Sequence, residues 1–277
     1  MSWASYLQAI KELQQQEIKE LEKRVNRIKS SVETTEKRID DFPEIHAYLQ
    51  KHFPKINLGD IPIYMTSPRV MDRNGFEDAG GCYINYFKAI FVKNRIRVKD
   101  SGGGRFAAAL YKKTSCAIDP EDVVMHELMH ALSARVRSGA GARFRNNEEE
   151  FVYTNCVDFY RSKGRSDEEI IKTSFLPFCI QDAMSDKDVM LGFWSQLGIE
   201  FPVRKDYTKV DYEKKVQRLF DNNASFMATA IFDAAMERSF KMIDLHNKYG
   251  RQQIHTNTSP DFDPELRMDT IDMDCDL

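Results

Sequence analysis

Cysteine is scarce in this chain: five residues in 277, at Cys82, Cys116, Cys156, Cys179 and Cys275. The number is odd, the spacing wide and no C-x-x-C pair occurs, which argues against a disulfide framework and against a cysteine-ligated zinc site. Free thiols in a reducing compartment are the expectation. No apolar run approaches membrane-spanning length, and Met1-Ser2-Trp3-Ala4-Ser5 lacks a basic segment leading into an apolar one. Neither a transmembrane segment nor Sec export is expected, so the cytoplasm is the expected compartment, with a virion or a non-Sec secretion route left open. Charge of one sign is not in excess: 40 basic against 43 acidic side chains leave a formal net charge of −3. Bulk electrostatics therefore do not call for nucleic acid or an anionic membrane as partner. No internal repeat period is evident.

What is present is an ordinary globular composition, 42% hydrophobic and 30% charged, enough to bury a sizeable core. From about Ser5 to Asp40 there is no glycine or proline, and the stretch reads as one long charged helix. Ile18, Leu21, Val25, Ile28, Val32 and Ile39 follow a heptad seam, with Thr35 in the skipped position. Two readings stay open: a coiled-coil arm that forms a homo-oligomer or binds an assembly partner, and a surface helix packed on its own domain. Phe42-Pro43 breaks the helix, and a second short one, from Ile45 to His52, ends at Phe53-Pro54. His46 and His52 lack metal-like spacing.

Between about Ile61 and Val98 the character changes. Ile61–Met65, Gly80–Ile84 and Ala89–Lys93 are short β-branched and aromatic runs, separated by a turn signal at Arg73-Asn74-Gly75, and they predict a small sheet. Ser101-Gly102-Gly103-Gly104-Arg105 is glycine-rich but lacks the Gly-Lys-Ser/Thr of a phosphate-binding loop, so it reads as linker or hinge.

The chemistry concentrates after this sheet, in His126-Glu127-Leu128-Met129-His130. Residues four apart share one helix face, so both imidazoles can reach a single metal ion while Glu127 can reach a water bound to it. Asp119 suits the N-cap, Pro120 the first helical position, and Glu121 and Asp122 the first turn, where the helix dipole favours acids. The helix is predicted to run to about Val136 and to end near Ser138-Gly139-Ala140-Gly141. Its apolar company, Val123, Val124, Leu128 and Leu132, places the histidines at the edge of a core.

His126-Glu-Leu-Met-His-Ala-Leu132, followed by a glycine-containing turn and Asn147-Glu-Glu-Glu-Phe-Val152, resembles the zincin metallopeptidases of the gluzincin branch. The resemblance spans roughly residues 60 to 162 and identifies no subfamily. It implies Zn2+ held by His126, His130 and a glutamate from a downstream helix. Glu148, Glu149 and Glu150 follow His130 by 18, 19 and 20 positions, and all three are admissible. Helix phase narrows the choice: Phe151, Val152, Cys156, Phe159 and Tyr160 define a buried face, which Glu148 and Glu149 flank while Glu150 points away. Glu149 is the expected third ligand, with Glu148 the alternative. One departure stands out. Thermolysin-like members carry an aspartate one turn after that glutamate to orient a zinc-bound histidine, whereas here Val152 or Tyr153 occupies the place.

The resemblance further implies hydrolysis of a peptide bond by a zinc-bound water, with Glu127 as general base passing the proton to the leaving amine. Tyr83, Tyr111, Tyr153 and His246 are all candidates for holding the oxyanion. Arg135, Arg137, Arg143 and Arg145 form a basic cluster that would attract an acidic partner or simply be solvated. Beyond Arg161 the chain returns to helices, with starts marked by Ser166-x-x-Glu169 and Ser185-x-x-Asp188 and a long helix from about Ser225 to Tyr249. The tail from Arg251, including His255, is polar and acidic.

The expected fold is α+β: a mostly helical, zincin-like metallopeptidase domain with a small β-sheet, preceded by a coiled-coil-like helix and followed by helical C-terminal elements. The expected blocks are an N-terminal helical arm over 1–55, a catalytic domain over 56–250 and an acidic tail over 251–277. The expected function is a zinc metalloendopeptidase acting on a protein or peptide. The alternative is a structural or assembly protein, for example in a virion, that keeps a zincin fold with little or no peptidase activity.

Overall fold

The computed structural model describes residues 3–76, 79–97, 105–114, 117–140 and 148–250. The glycines of the 101–105 loop, Arg143, Arg145 and the acidic tail lie outside the described residues. The architecture is mostly helical with a small mixed sheet, so the chain is an α+β protein. It divides into two compact units, one built from residues 3–94 and 123–148, the other from 95–122 and 149–250. These units interleave along the chain.

In the first unit, helix α1 (Trp3–Lys29) stops about ten residues before the expected end at Asp40. Hydroxyl chemistry ends it. Ser31 Oγ accepts from the Glu33 N–H, and Thr34 Oγ1 donates to the Ile28 carbonyl at 2.7 Å, so side chains take over groups that a continuing helix would use. The chain turns into strand β1 (Thr35–Lys37), which sequence reading missed, and Val32 is left fully exposed at 102%. Helix α2 (Pro43–His52) follows and begins two residues before the expected Ile45, with Pro43 at its first position. Then come strand β2 (Ile63–Thr66), helix α3 (Pro68–Arg73), strand β3 (Gly81–Ile84) and strand β4 (Ala89–Lys93).

The sheet has the order β1-β2-β4-β3, with β2 and β4 parallel and the other pairs antiparallel. All five residues of β4 are buried, as required of a central strand covered on both faces. Strand alternation sorts the covers. Cys82 pairs with Phe91 and Ile84 with Ala89, and these four form one cluster with Leu21, Val25 and Ile28 of α1. The heptad-spaced stripe of α1 is thus spent, over these three residues, on its own unit; burying each is worth about 1.5–3 kcal/mol. Arg24 adds an anchor, stacking on Phe76 and donating to the carbonyls of Asn74 and Gly75, where the turn takes the left-handed conformation (Gly75 φ 78°).

From Ile96 the chain forms strand β5 (Ile96–Arg97), helix α4 (Arg105–Thr114), strand β6 (Ala117–Ile118) and helix α5 (Pro120–Ala140). Strands β5 and β6 pair antiparallel. Asp119 caps α5 as expected, its Oδ1 accepting from the Glu121 N–H at 3.0 Å. The first turn of α5 belongs to the second unit and the remainder to the first.

The rest of the second unit is helical: α6 (Glu148–Ser162), α7 (Asp167–Ile170), a π-helical turn (Ile171–Phe175), α8 (Leu176–Ser185), α9 (Lys187–Gln196), α10 (Lys209–Asn222) and α11 (Ala224–Tyr249). Ser166 and Glu169 form the capping box read from sequence. At α9 the cap is Asp186 in place of Ser185, its carboxylate accepting from the N–H groups of Asp188 and Val189. Met227, Ala228, Ile231, Ala235 and Ile243 form the buried stripe of α11, which packs on α4 and α8. Trp194, 1% exposed, meets Phe220 edge-on and Phe201 at a tilt.

Candidate metal centre

Helix α5 supplies the histidine pair from its middle turns. His126 and His130 are one turn apart, with ring centroids 4.8 Å apart and planes inclined by 67°. Their Nε2 atoms approach to 3.1 Å. Two nitrogens that each sit about 2.0–2.1 Å from a tetrahedral zinc ion are separated by about 3.3 Å, so this pair converges as a shared ion requires. Two such atoms at this distance can share either one proton or one cation. His126 is 8% exposed, and burial, helped by the neighbouring His130 imidazole, pushes its pKa well below the ordinary histidine value. A neutral ring with a lone pair to give is the form a metal takes.

Glu127 is 5% exposed, beside the pair on the same helix. Strand β3 lies against it. A methyl group built on Gly81 would stand 3.3 Å from Glu127 Cγ, 3.1 Å from the Phe91 carbonyl oxygen and only 2.5 Å from Val123 Cγ1. Gly81 therefore marks a close approach of strand backbone to the helix turn that carries Glu127. Tyr83, two residues on and hence on the same strand face, is half-buried, and its hydroxyl lies 3.3 Å from Asn85 Oδ1. Burial raises its pKa, opposed by Arg135 and reinforced by Asp60.

The third ligand was expected from Glu149, or else Glu148. Both stand in the first turn of α6, but their side chains lie outside the described residues. The helix-phase argument for Glu149 does lose its footing. Tyr153, Thr154, Asn155 and Val157 are as buried as Phe151, Val152, Cys156, Phe159 and Tyr160, so α6 beyond its first turn has no single buried face. Among the described residues no group of three or more His, Cys, Asp and Glu side chains is assembled to hold an ion.

The remaining candidates separate. Tyr83 shares the first unit with the histidines. In the second unit, Tyr153 is 3% exposed and edge-on to Phe175, and His246 accepts a hydrogen bond from Arg161. The Tyr111 side chain lies outside the described residues. Of the arginine cluster, Arg135 is engaged within its own unit, paired with Asp60 and donating to the Asn57 carbonyl. The Arg137 side chain, Arg143 and Arg145 lie outside the described residues.

Two residues that the motif search passed over carry much of the local order. Asp122, read only as a dipole partner, is 1% exposed; its Oδ2 accepts from Arg165 Nη1 and from Ser174 Oγ, each at 2.6 Å. Its partners lie 43 and 52 residues downstream, beyond any local signal. Gly81 could have been flagged, since a glycine inside a strand pattern signals a bulge or a close backbone approach.

No protein-family model, curated protein or solved structure matches this chain significantly.

Proposed function

We propose that this chain is a zinc-dependent metallopeptidase. The observation that carries the reading is the convergence of His126 and His130 Nε2 to 3.1 Å on a buried helix turn, with the buried Glu127 beside them. In this reading His126 and His130 hold the metal together with Glu149, or Glu148, of α6. Zinc, when bound, polarises a carbonyl and makes water a nucleophile near neutral pH. Glu127 takes the proton from the attacking water and delivers it to the departing amine. Strand β3 is the edge of its sheet, and an extended peptide can pair with such an edge through main-chain hydrogen bonds. The contact of Gly81 with the Glu127 turn brings that edge beside the general base.

The test is hydrolysis of fluorescein-labelled casein by the zinc-loaded chain and by Glu127→Gln. Loss of at least about a hundredfold in rate, with zinc content unchanged, is the expected outcome. Equal rates in the two proteins refute the assignment.

One observation favours a second reading, an assembly protein with little peptidase activity. From Glu12 to Glu20 no side chain of α1 is buried, and Leu13 is 59% exposed, so this part of the helix offers surface to a partner. Light scattering on the full chain and on a chain lacking residues 3–20 distinguishes the two: assembly lost on truncation, with no casein cleavage by the full chain, supports the second.

A further inference from the structure

We infer that Gly81 is a positioning residue for Glu127: by lacking a side chain it lets the backbone of β3 rest on the stem of the general base and hold its carboxylate at the histidine pair. The inference rests on the metallopeptidase reading. Glycine weakens a strand, and Gly81 has ordinary extended backbone, so its conformation alone does not call for it. The reason lies in what a Cβ would meet. The approach to Val123 Cγ1 at 2.5 Å is a packing conflict, and the approach to Glu127 Cγ at 3.3 Å is a displacement of the base. Both neighbours are on α5, one turn apart, so the strand touches the helix at the turn that leads into His126.

The contacts can be separated by what each disturbs. In Gly81→Ala all three approaches are present, to Val123 Cγ1, the Phe91 carbonyl oxygen and Glu127 Cγ. Adding Val123→Ala removes the Cγ1 atom and with it the closest conflict, while the approaches of 3.1 Å to the Phe91 carbonyl oxygen and 3.3 Å to Glu127 Cγ remain. Strain against the Phe91 backbone is read in the melting temperature; displacement of Glu127 is read in hydroxamate binding and kcat. Zinc binding should be untouched in either case, because neither substitution reaches an imidazole nitrogen.

The experiment compares Val123→Ala, Gly81→Ala/Val123→Ala and Glu127→Gln with the unmodified chain. Zinc affinity comes from chelator competition and folding from thermal melting. Acetohydroxamic acid serves as a metal-directed probe whose N–H and O–H groups meet the neighbouring carboxylate, its binding followed by calorimetry, and kcat and KM are measured on labelled casein. The expected result is that the double variant melts with Val123→Ala and binds zinc within twofold of it. It should bind the hydroxamate at least fivefold more weakly and lose at least tenfold in kcat with KM unchanged. Hydroxamate binding and kcat equal to those of Val123→Ala overturn the inference and leave the metallopeptidase reading standing, provided that Glu127→Gln itself weakens the probe. Hydroxamate binding unaffected by Glu127→Gln overturns both. Weaker hydroxamate binding in the double variant, without casein cleavage by the unmodified chain, sustains the contact that holds Glu127 at the histidine pair and overturns the role of Glu127 as general base.

Discussion

Helix α5 carries two buried polar clusters one turn apart, and they are built on opposite principles. At Asp122 unlike groups meet: the carboxylate faces the Arg165 guanidinium and the Ser174 hydroxyl, while Tyr160 donates to the Asp122 carbonyl at 3.1 Å. Arg165 also stacks over the Tyr160 ring. At His126 and His130 like groups meet, two imidazole nitrogens 3.1 Å apart, with burial first and then the His130 imidazole disfavouring a proton on His126. A cluster that serves the fold pairs anion with cation and donor with acceptor. In the proposed reading the histidine cluster serves a ligand: two imidazole nitrogens gathered at one point would both donate to an arriving cation. Burial is nearly the same in the two, so burial alone does not tell structure from function.

Asp122→Ala leaves Arg165 facing a space built for a carboxylate and should lower stability by about 3 kcal/mol, at the low end for a broken buried pair because the Arg165 side chain keeps 22% of its exposure. Urea unfolding measures it. Ser174→Ala removes one hydrogen bond to a charged group and should cost about 1.5 kcal/mol. The double variant should lose less than the sum, since both act through one carboxylate. A loss below about 1 kcal/mol for Asp122→Ala would show that the network does not root the helix.

The two clusters also differ in how visible they are in the sequence. The histidine pair is legible because a single helix sets its spacing, and Asp119-Pro120 announces that helix through capping chemistry within three residues. The Ser166–Glu169 box is equally local. The Asp122 network is not legible, because Arg165 and Ser174 reach it only through the tertiary fold. Strand β1 was hidden for a related reason. Thr35–Lys37 continues the charged, heptad-like pattern of α1, and only the antiparallel ladder with Ile63–Met65 and the 2.7 Å contact between the Thr34 and Thr66 hydroxyls reveal it. Tertiary pairing here overrode a helical pattern that had been sustained for four turns. The preference for Glu149 over Glu148 rested on one buried face of α6, whereas from Phe151 onward α6 is buried nearly all round.

The functional side of the comparison is sharpened by His126→Ala. Loss of one of two convergent nitrogens should lower zinc affinity by more than about a hundredfold, roughly 2.7 kcal/mol, measured by chelator competition. Asp122→Asn should leave zinc affinity within about threefold, because it alters the fold-serving cluster and no ligand atom. If His126→Ala keeps its zinc, the like-group cluster is not a metal centre, and the contrast with Asp122 is one of packing alone.

The smallest expected effect concerns a third histidine, in the second unit, where the same contrast is drawn within a single side chain. His246 Nδ1 accepts from Arg161 Nη1 at 2.9 Å, while Nε2 lies 3.7 Å from Asp158 Oδ1, beyond hydrogen-bond length. Arg161 in turn is held by both oxygens of Asp167 and by Asn247. Because a guanidinium only donates, Nδ1 must be the unprotonated nitrogen, and a proton added there would face the cation. Burial, then Arg161, lower the His246 pKa below the ordinary histidine value of 6.5, against an upward pull from Asp158 and Asp167. The unfolded chain therefore binds this proton more readily than the folded one. Stability contributed by the neutral ring is fully present above about pH 6.5, falls as the pH drops below that value, and levels off beneath the folded pKa. In His246→Gln the glutamine oxygen can accept from Arg161 without titrating, so urea midpoints compared at pH 7.5 and pH 5.5 should fall less in the variant than in the unmodified chain. Equal falls would mean that the facing Arg161 cation and burial do not make the His246 proton a cost to the fold.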